Sequence, residues 1–210
     1  MHSAAVMCNC WRGAKKFMAS SGNMARFCLV LTLVFLASCG PRGIATDYHD
    51  PEMDFAAIRT VAVMPFNNLT PDRLAAERVR DTFSNGLLAS GAVYVLPPGE
   101  VARGITRAGL IDPTSPSDEE IVRLTGILRV DAIITGIVNE YGEVRSGTTA
   151  ADVISVSVQM IESKTRRIVW SASSTKGGIS IWDRLFGSGG KPMNDVTRAA
   201  VDELLDKLFQ

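Results

Sequence analysis

Cysteine, histidine and long apolar runs are scarce in this 210-residue sequence. All four cysteines, Cys8, Cys10, Cys28 and Cys39, lie at or before position 39. Beyond that point no disulfide and no cysteine-ligated metal can form within one chain. Cys8 and Cys10 stand two apart with no histidine between or beside them, which is no metal motif. Histidine occurs at His2 and His49 only. With so few, an H-E-x-x-H zinc site is excluded, and G-x-S-x-G is also missing, so no nucleophile, base and orienter can be named and no enzyme is expected. Ser163-Lys164, the nearest cue for Ser-Lys chemistry, falls in a predicted hairpin turn. Gly187-Ser188-Gly189-Gly190-Lys191 lacks the phosphate-loop spacing and is followed by Pro192 rather than Ser or Thr. No cofactor is expected. The longest apolar run, Phe27–Leu36, is about half of the ~20 residues a spanning helix needs. Basic residues are in no excess either, 22 Lys and Arg against 22 Asp and Glu, which leaves nucleic acid without an electrostatic footing as a partner.

What is present begins at the same run. Arg26 supplies a positive charge, Phe27–Leu36 a short apolar segment, and Ala37-Ser38-Cys39 a small-residue ending. This is the order of an export signal. Leu36-Ala37-Ser38-Cys39 resembles the bacterial lipobox, which implies cleavage between Ser38 and Cys39 and a lipid on the Cys39 thiol. Residues 1–38 are then a signal peptide, with Met18 or Met24 as possible true starts. The resemblance also implies an outer-membrane destination in a Gram-negative host, facing the periplasm, because Gly40 is not the aspartate that favours inner-membrane retention. Two to three acyl chains at ~0.8 kcal/mol per buried methylene make release from the bilayer negligible. Removing Arg12, Lys15, Lys16 and Arg26 leaves 22 − 4 = 18 basic against 22 acidic residues, a net charge of −4.

Gly40 to Phe55 holds Pro41, Gly43 and Pro51 with no sustained period. It reads as a tether within residues 39–57, with His49 exposed in it, ahead of one domain over 58–210. That domain opens with a strand at Ile58–Phe66, in which Val61 and Val63 alternate with small or apolar partners. Thr70 is the expected N-cap and Pro71 the first helical residue. The helix runs over Asp72–Ser90, with Ala75, Val79, Phe83 and Leu87 on its stripe and Gly91 at its end. Ala92–Leu96 is a second short strand, and Glu100–Ala108 a second helix closed by Gly109. Ser117-Asp118-Glu119-Glu120 is a capping box for a third helix through Ile121, Leu124, Thr125 and Leu128. It is no metal site, because adjacent residues point different ways around a helix.

From Asp131 the period becomes two. Ala132–Tyr141 is a strand, Gly142–Thr149 a polar loop turning at Ser146-Gly147, and Asp152–Ile161 a strand with Ile154, Val156, Val158 and Met160 on one face. Ser155, Ser157 and Gln159 mark the other face as wet, or paired with something else. Glu162–Arg166 turns the chain into a third strand over Arg167–Ser174. Large apolar residues between glycine clusters follow, and Trp182, Leu185 and Phe186 there are the candidate partner contacts, either a cover for the domain edge or an interaction surface. Asn194 or Asp195 caps a last helix with Val196, Ala200, Leu204 and Leu208 on one stripe. The expected class is α/β (α+β): a mixed β-sheet with helices packed against it and three consecutive antiparallel strands in the second half.

Thr60-Val61-Ala62-Val63-Met64-Pro65-Phe66-Asn67-Asn68-Leu69-Thr70, then Val130-Asp131-Ala132-Ile133-Ile134-Thr135-Gly136, then Ile168-Val169-Trp170, resemble the CsgG-like periplasmic α/β lipoproteins. The TolB amino-terminal domain and penicillin-binding-protein activator lipoproteins have a similar core. The resemblance covers about Ile58 to Phe209. It implies a scaffold or accessory interaction module in envelope assembly or secretion, held to the membrane by its lipid and docking a periplasmic or outer-membrane protein or another copy of itself. Alternatives within the resemblance are a protomer of an oligomeric secretion complex and an activator of cell-wall synthesis. A pore is disfavoured, because strands of about nine to eleven residues are needed to cross a membrane as a barrel and Gly142–Thr149 is shorter than such a hairpin.

Overall fold

The computed structural model describes residues 47–146, 149–178 and 190–210. In chain order these form strand β1 (Asp47–His49), a 3-10 turn (Phe55–Ala57), β2 (Thr60–Val63), β3 (Asn67–Asn68), helix α1 (Ala75–Ser90), β4 (Tyr94–Val95), α2 (Pro98–Ala108) and α3 (Asp118–Leu128). Then follow β5 (Ala132–Ser146), β6 (Thr149–Glu162), β7 (Ile168–Gly177) and α4 (Met193–Leu208). One seven-stranded sheet runs β1-β7-β6-β5-β2-β4, with β3 also paired to β5. The pairs β2·β4, β2·β5 and β3·β5 are parallel, whereas β1, β7, β6 and β5 are antiparallel neighbours. The mixed sheet, the helices against it and the three consecutive antiparallel strands are therefore as the sequence predicts.

The period-two alternation of β6 divides the sheet into two unlike faces. Ile154, Val156, Val158 and Met160 are all buried. They share a core with Val79, Phe83 and Leu87 of α1 and Val201, Leu204 and Leu208 of α4. Each such fully buried side chain contributes roughly 1.5–3 kcal/mol. Among the described residues the opposite face is covered near its β2 end, where Ala62, Met64 and Ile133 meet Val101 and Ala108 of α2 and Ile121 and Leu124 of α3. The remainder of that face, along β5, β6 and β7, has no helix over it among the described residues.

Local chemistry explains the element ends. Gly91 and Gly109, at φ 66° and 65°, close α1 and α2 in the left-handed region that glycine enters without strain. At α3 the predicted capping box is formed: the Ser117 hydroxyl accepts from the Glu120 amide, and the Glu120 carboxylate accepts from the Ser117 amide at 2.8 Å. Asp131 acts as a staple between β2 and β5. One of its oxygens accepts from the amides of Arg59 and Thr60 and from the Thr60 hydroxyl, at 3.0, 2.9 and 2.9 Å. Burial pushes that carboxyl's pKa up, but these bonds and the nearby Lys164 charge bring it below the ordinary value.

Several expectations are corrected. The tether does not extend to residue 57, because β1 pairs with β7 through Asp47↔Ala172 and His49↔Trp170. Asp50 is buried behind it, ion-paired to Arg167 at 3.1 Å. His49 is accordingly half-buried rather than exposed, edge-on to Phe55 with ring centroids 5.5 Å apart. Thr70 does not cap α1. Its amide and hydroxyl donate to Asn68, whose own amide group donates to the Asp72 carbonyl, and this turn delays the helix to Ala75. Neither Asn194 nor Asp195 caps α4, which starts at Met193 behind Pro192, with Asp195 in the first turn where its charge suits the helix dipole. Gly142–Ser146 is not a loop, while residue 147 of the predicted turn lies outside the described residues. Gly142↔Val153 through Ser146↔Thr149 are paired, so β5 and β6 reach 15 and 14 residues. Polar side chains there signal a two-stranded ribbon in solvent, whose backbone pairing needs no apolar face.

Candidate functional site

The uncovered sheet face carries the most distinctive chemistry of the described residues. Directly opposed residues on antiparallel strands share a face. Thr135↔Gln159, Gln159↔Ser171 and Ser171↔Tyr48 therefore set Thr135, Gln159, Ser171 and Tyr48 in one row across four strands. The next rows hold Ile137, Ser157 and Ser173, then Ser155 and Thr175, whose hydroxyls lie 3.1 Å apart. Alternation in β6 places serines and a glutamine here for the same reason that it places Ile154, Val156 and Val158 in the core.

Where this face meets the α2–α3 connection there is a cleft of about 210 Å³, lined by Asn67, Thr114, Ser115, Pro116, Thr135, Gly136, Ile137, Gln159 and Ile161. Its outer wall is held from behind. Asp112 accepts from the Thr114 hydroxyl at 2.7 Å and the Thr114 amide at 2.9 Å, and these bonds hold its carboxyl below the ordinary value. Glu120, besides capping α3, accepts from the Ile111 amide at 3.1 Å. Gly136 forms the floor beside Phe66. A Cβ on it would lie 2.9 Å from three atoms of that ring, so only glycine lets the strand and the ring approach this closely. Thr135 is 5% exposed. It is one of the residues that line the cleft. Among the described residues neither it nor the Asn67 and Gln159 carboxamides makes a side-chain hydrogen bond. No titratable side chain lines this cleft; its capacity is hydrogen bonding and apolar contact rather than acid–base chemistry.

A second, more apolar groove of about 520 Å³ opens where the 3-10 turn meets the C-terminal ends of α1 and α4, lined by Phe55, Ile58, Arg59, Val93, Leu208 and Phe209 among others. Beneath α4, Glu203 gathers Lys207 at 2.6 Å, the Ser174 hydroxyl at 2.9 Å and Lys176 at 2.5 Å, which ties the helix to β7. Among the described residues Glu120, Asp112, Asp131 and Glu203 have shifted pKa values, and each is accounted for by bonds that hold the fold. Among the described residues no group of three potential metal ligands occurs, and no helix is long and apolar enough to cross a membrane.

Ser38, Cys39, Trp182, Leu185 and Phe186, the residues singled out in the sequence, lie outside the described residues. Sequence reading missed the cleft. The alternation of Ser155, Ser157 and Gln159 marked a polar face, but no local pattern signals that Asn67 and the 114–116 turn close one end of it.

No curated protein matches the chain. Among solved structures, lipoprotein GNA1162 from Neisseria meningitidis is similar at 18% identity, covering 72% of this chain and 98% of that one, with a TM-score of 0.53. The PelC dodecamer from Paraburkholderia phytofirmans is similar at 18% identity over 77% of this chain and 95% of that one, with a TM-score of 0.52. The LpoB C-terminal domain from Salmonella enterica is more remote, at 16% identity over 56% of this chain and 81% of that one, with a TM-score of 0.44. The first two likenesses establish the fold. Residues 46–207 match the family described as "Putative lipoprotein GNA1162-like", and that match spans most of the chain, so this protein belongs to the GNA1162-like lipoprotein family.

Proposed function

We propose that this chain is a lipid-anchored accessory module of the Gram-negative outer membrane, facing the periplasm and acting by binding rather than by catalysis. The observation that carries this reading is the docking of β1. With Asp47 already in the sheet, only Gly40–Thr46 separate it from the predicted lipid site at Cys39. Eight extended steps reach at most about 28 Å. A domain held that close to a bilayer works at its surface, as a scaffold for envelope assembly or secretion, and belongs with the CsgG-like lipoproteins in architecture. Metabolic labelling with a palmitate analogue, followed by membrane fractionation, tests the anchor. Wild type should carry label and sediment with outer membranes, and Cys39→Ser should lose both. Label retained in Cys39→Ser would refute the anchor.

Self-association is the second reading, and a specific feature favours it. β2 and β3 pair with β5 no further than Val138, and Leu69 donates to the Val138 carbonyl. From Glu140 to Ser146 the outer edge of β5 has no strand partner among the described residues, which leaves a strand edge open to a second copy. The similar fold of PelC occurs as a dodecamer. The unpaired edge from Glu140 to Ser146 is seven residues long, short of the nine to eleven that a barrel strand needs, which favours edge pairing over a pore. Light scattering on the detergent-extracted, lipidated protein decides between a monomer and a discrete oligomer. A monomer would sink this second reading.

A further inference from the structure

We infer that the cleft at Thr135 and the row leading from it form a binding site for a neutral saccharide. Four observations support this inference. The cleft is lined by carboxamides, hydroxyls and aliphatic groups and by no charged side chain, so it selects against phosphates and other strongly ionic ligands and suits a ligand rich in neutral donors and acceptors. Thr135, 5% exposed, lines it with a hydroxyl that makes no hydrogen bond among the described residues, and so do the half-buried Asn67 and Gln159 with their carboxamides. Polar groups without an internal partner are free to bond a ligand in place of the water in the cleft. At about 210 Å³ the cleft is below the ~300–1,000 Å³ of sites that enclose drug-sized molecules, which fits one ring of a longer chain.

The row continues out of the cleft through Gln159 and Ser171 to Tyr48, which is 46% exposed at the sheet edge. Three inter-strand steps of about 4.8 Å place that aromatic ring roughly 14 Å from Thr135. An aromatic face for the apolar side of a sugar ring, and amide and hydroxyl groups for its polar rim, are the two contacts that saccharides offer. The spacing is longer than a disaccharide, so at least three linked rings are needed to touch both ends. This surface is independent of the lipid anchor and of the free β5 edge, so its test stands apart from theirs.

The test is calorimetric titration of the full chain in a sugar-free detergent with neutral oligosaccharides up to about 10 mM, a range that reports binding as weak as millimolar. The probes are the dimers and tetramers of β-1,4-linked N-acetylglucosamine and of β-1,4-linked glucose, with pentaglycine as the peptide control. One saccharide series should bind. Thr135→Val keeps the side chain's shape and removes its hydroxyl; it and Gln159→Ala should each weaken binding by up to about tenfold, the loss expected for one neutral hydrogen bond. Thr135→Val should also unfold at the same or a higher temperature than wild type, which separates a binding role from a structural one. Tyr48→Ala should weaken the tetramer and leave the dimer unchanged. Absence of saccharide binding, binding of pentaglycine alone, or saccharide binding indifferent to both Thr135→Val and Gln159→Ala would each overturn the inference.

Discussion

Glu203→Gln removes the anion on which Lys176, Lys207 and the Ser174 hydroxyl converge. Burial, the largest single influence on this carboxyl, raises its pKa. The hydrogen bonds from Lys176, Lys207 and Ser174 together outweigh burial and leave it at about 2, against an ordinary 4.5. At ~1.4 kcal/mol per pKa unit that depression corresponds to about 3 kcal/mol. The Glu203 side chain is 31% exposed and that of Lys176 38%. Solvent and salt therefore screen the cluster, and about 1.5–2 kcal/mol is expected at neutral pH. Because the folded pKa is depressed, this stability is fully present above about pH 4.5 and is lost as pH falls from there towards 2. Glutamine has the shape of the protonated acid. The variant should therefore unfold about 3–8 °C lower than wild type at pH 7, with the gap narrowing below pH 4.5 and closing near pH 2. Thermal and urea unfolding followed by circular dichroism at pH 7, 4 and 2.5 measure both quantities. Equal midpoints at pH 7, or a gap that stays constant down to pH 2.5, would refute the reasoning.

Three further substitutions probe other parts of the fold. Asp131→Ala deprives the Arg59 and Thr60 amides of their shared acceptor and should cost about 2 kcal/mol in urea unfolding, with the slope unchanged. Gly177 sits at φ 85°, and a Cβ there would lie 2.0 Å from the Asp152 carbonyl oxygen; Gly177→Ala should cost at least about 3 kcal/mol and reduce soluble yield, and near-wild-type stability would show that β7 can end otherwise. Leu204→Ala empties a fully buried position between α4 and the sheet and should cost about 2–5 kcal/mol by the same assay.

The parts of this fold that were legible in advance are those governed by short-range pattern. Alternation gave β6 and its buried face, Gly91 and Gly109 gave two helix ends, and Ser117 with Glu120 gave a third helix its start, since each of these depends on residues within a few positions of one another. Errors arose where a distant partner decided the outcome. Asp47-Tyr48-His49 has no strand signature of its own and becomes a strand because β7 offers it an edge. The polar stretch after Gly142 resembles a loop until the opposing strand pairs with it. Thr70 had the composition of a cap, and Asn68 took its hydrogen bonds first.

The sequence by itself determined the chemistry available: cysteines confined to the first 39 residues, a single histidine beyond them, and no run long enough to span a bilayer as a helix. It also determined that one face of β6 would be apolar and the other polar, because side-chain direction alternates along a strand whatever surrounds it. The tertiary structure alone decided what that polar face would meet. Helices α2 and α3 stop short of it, the Asp112–Glu120 connection walls one end, and β1 brings Tyr48 to the other. These placements bring Tyr48, Asn67, Thr114, Thr135, Gln159 and Ser171 together from across the chain, and no local pattern encodes which distant segments will close around a sheet.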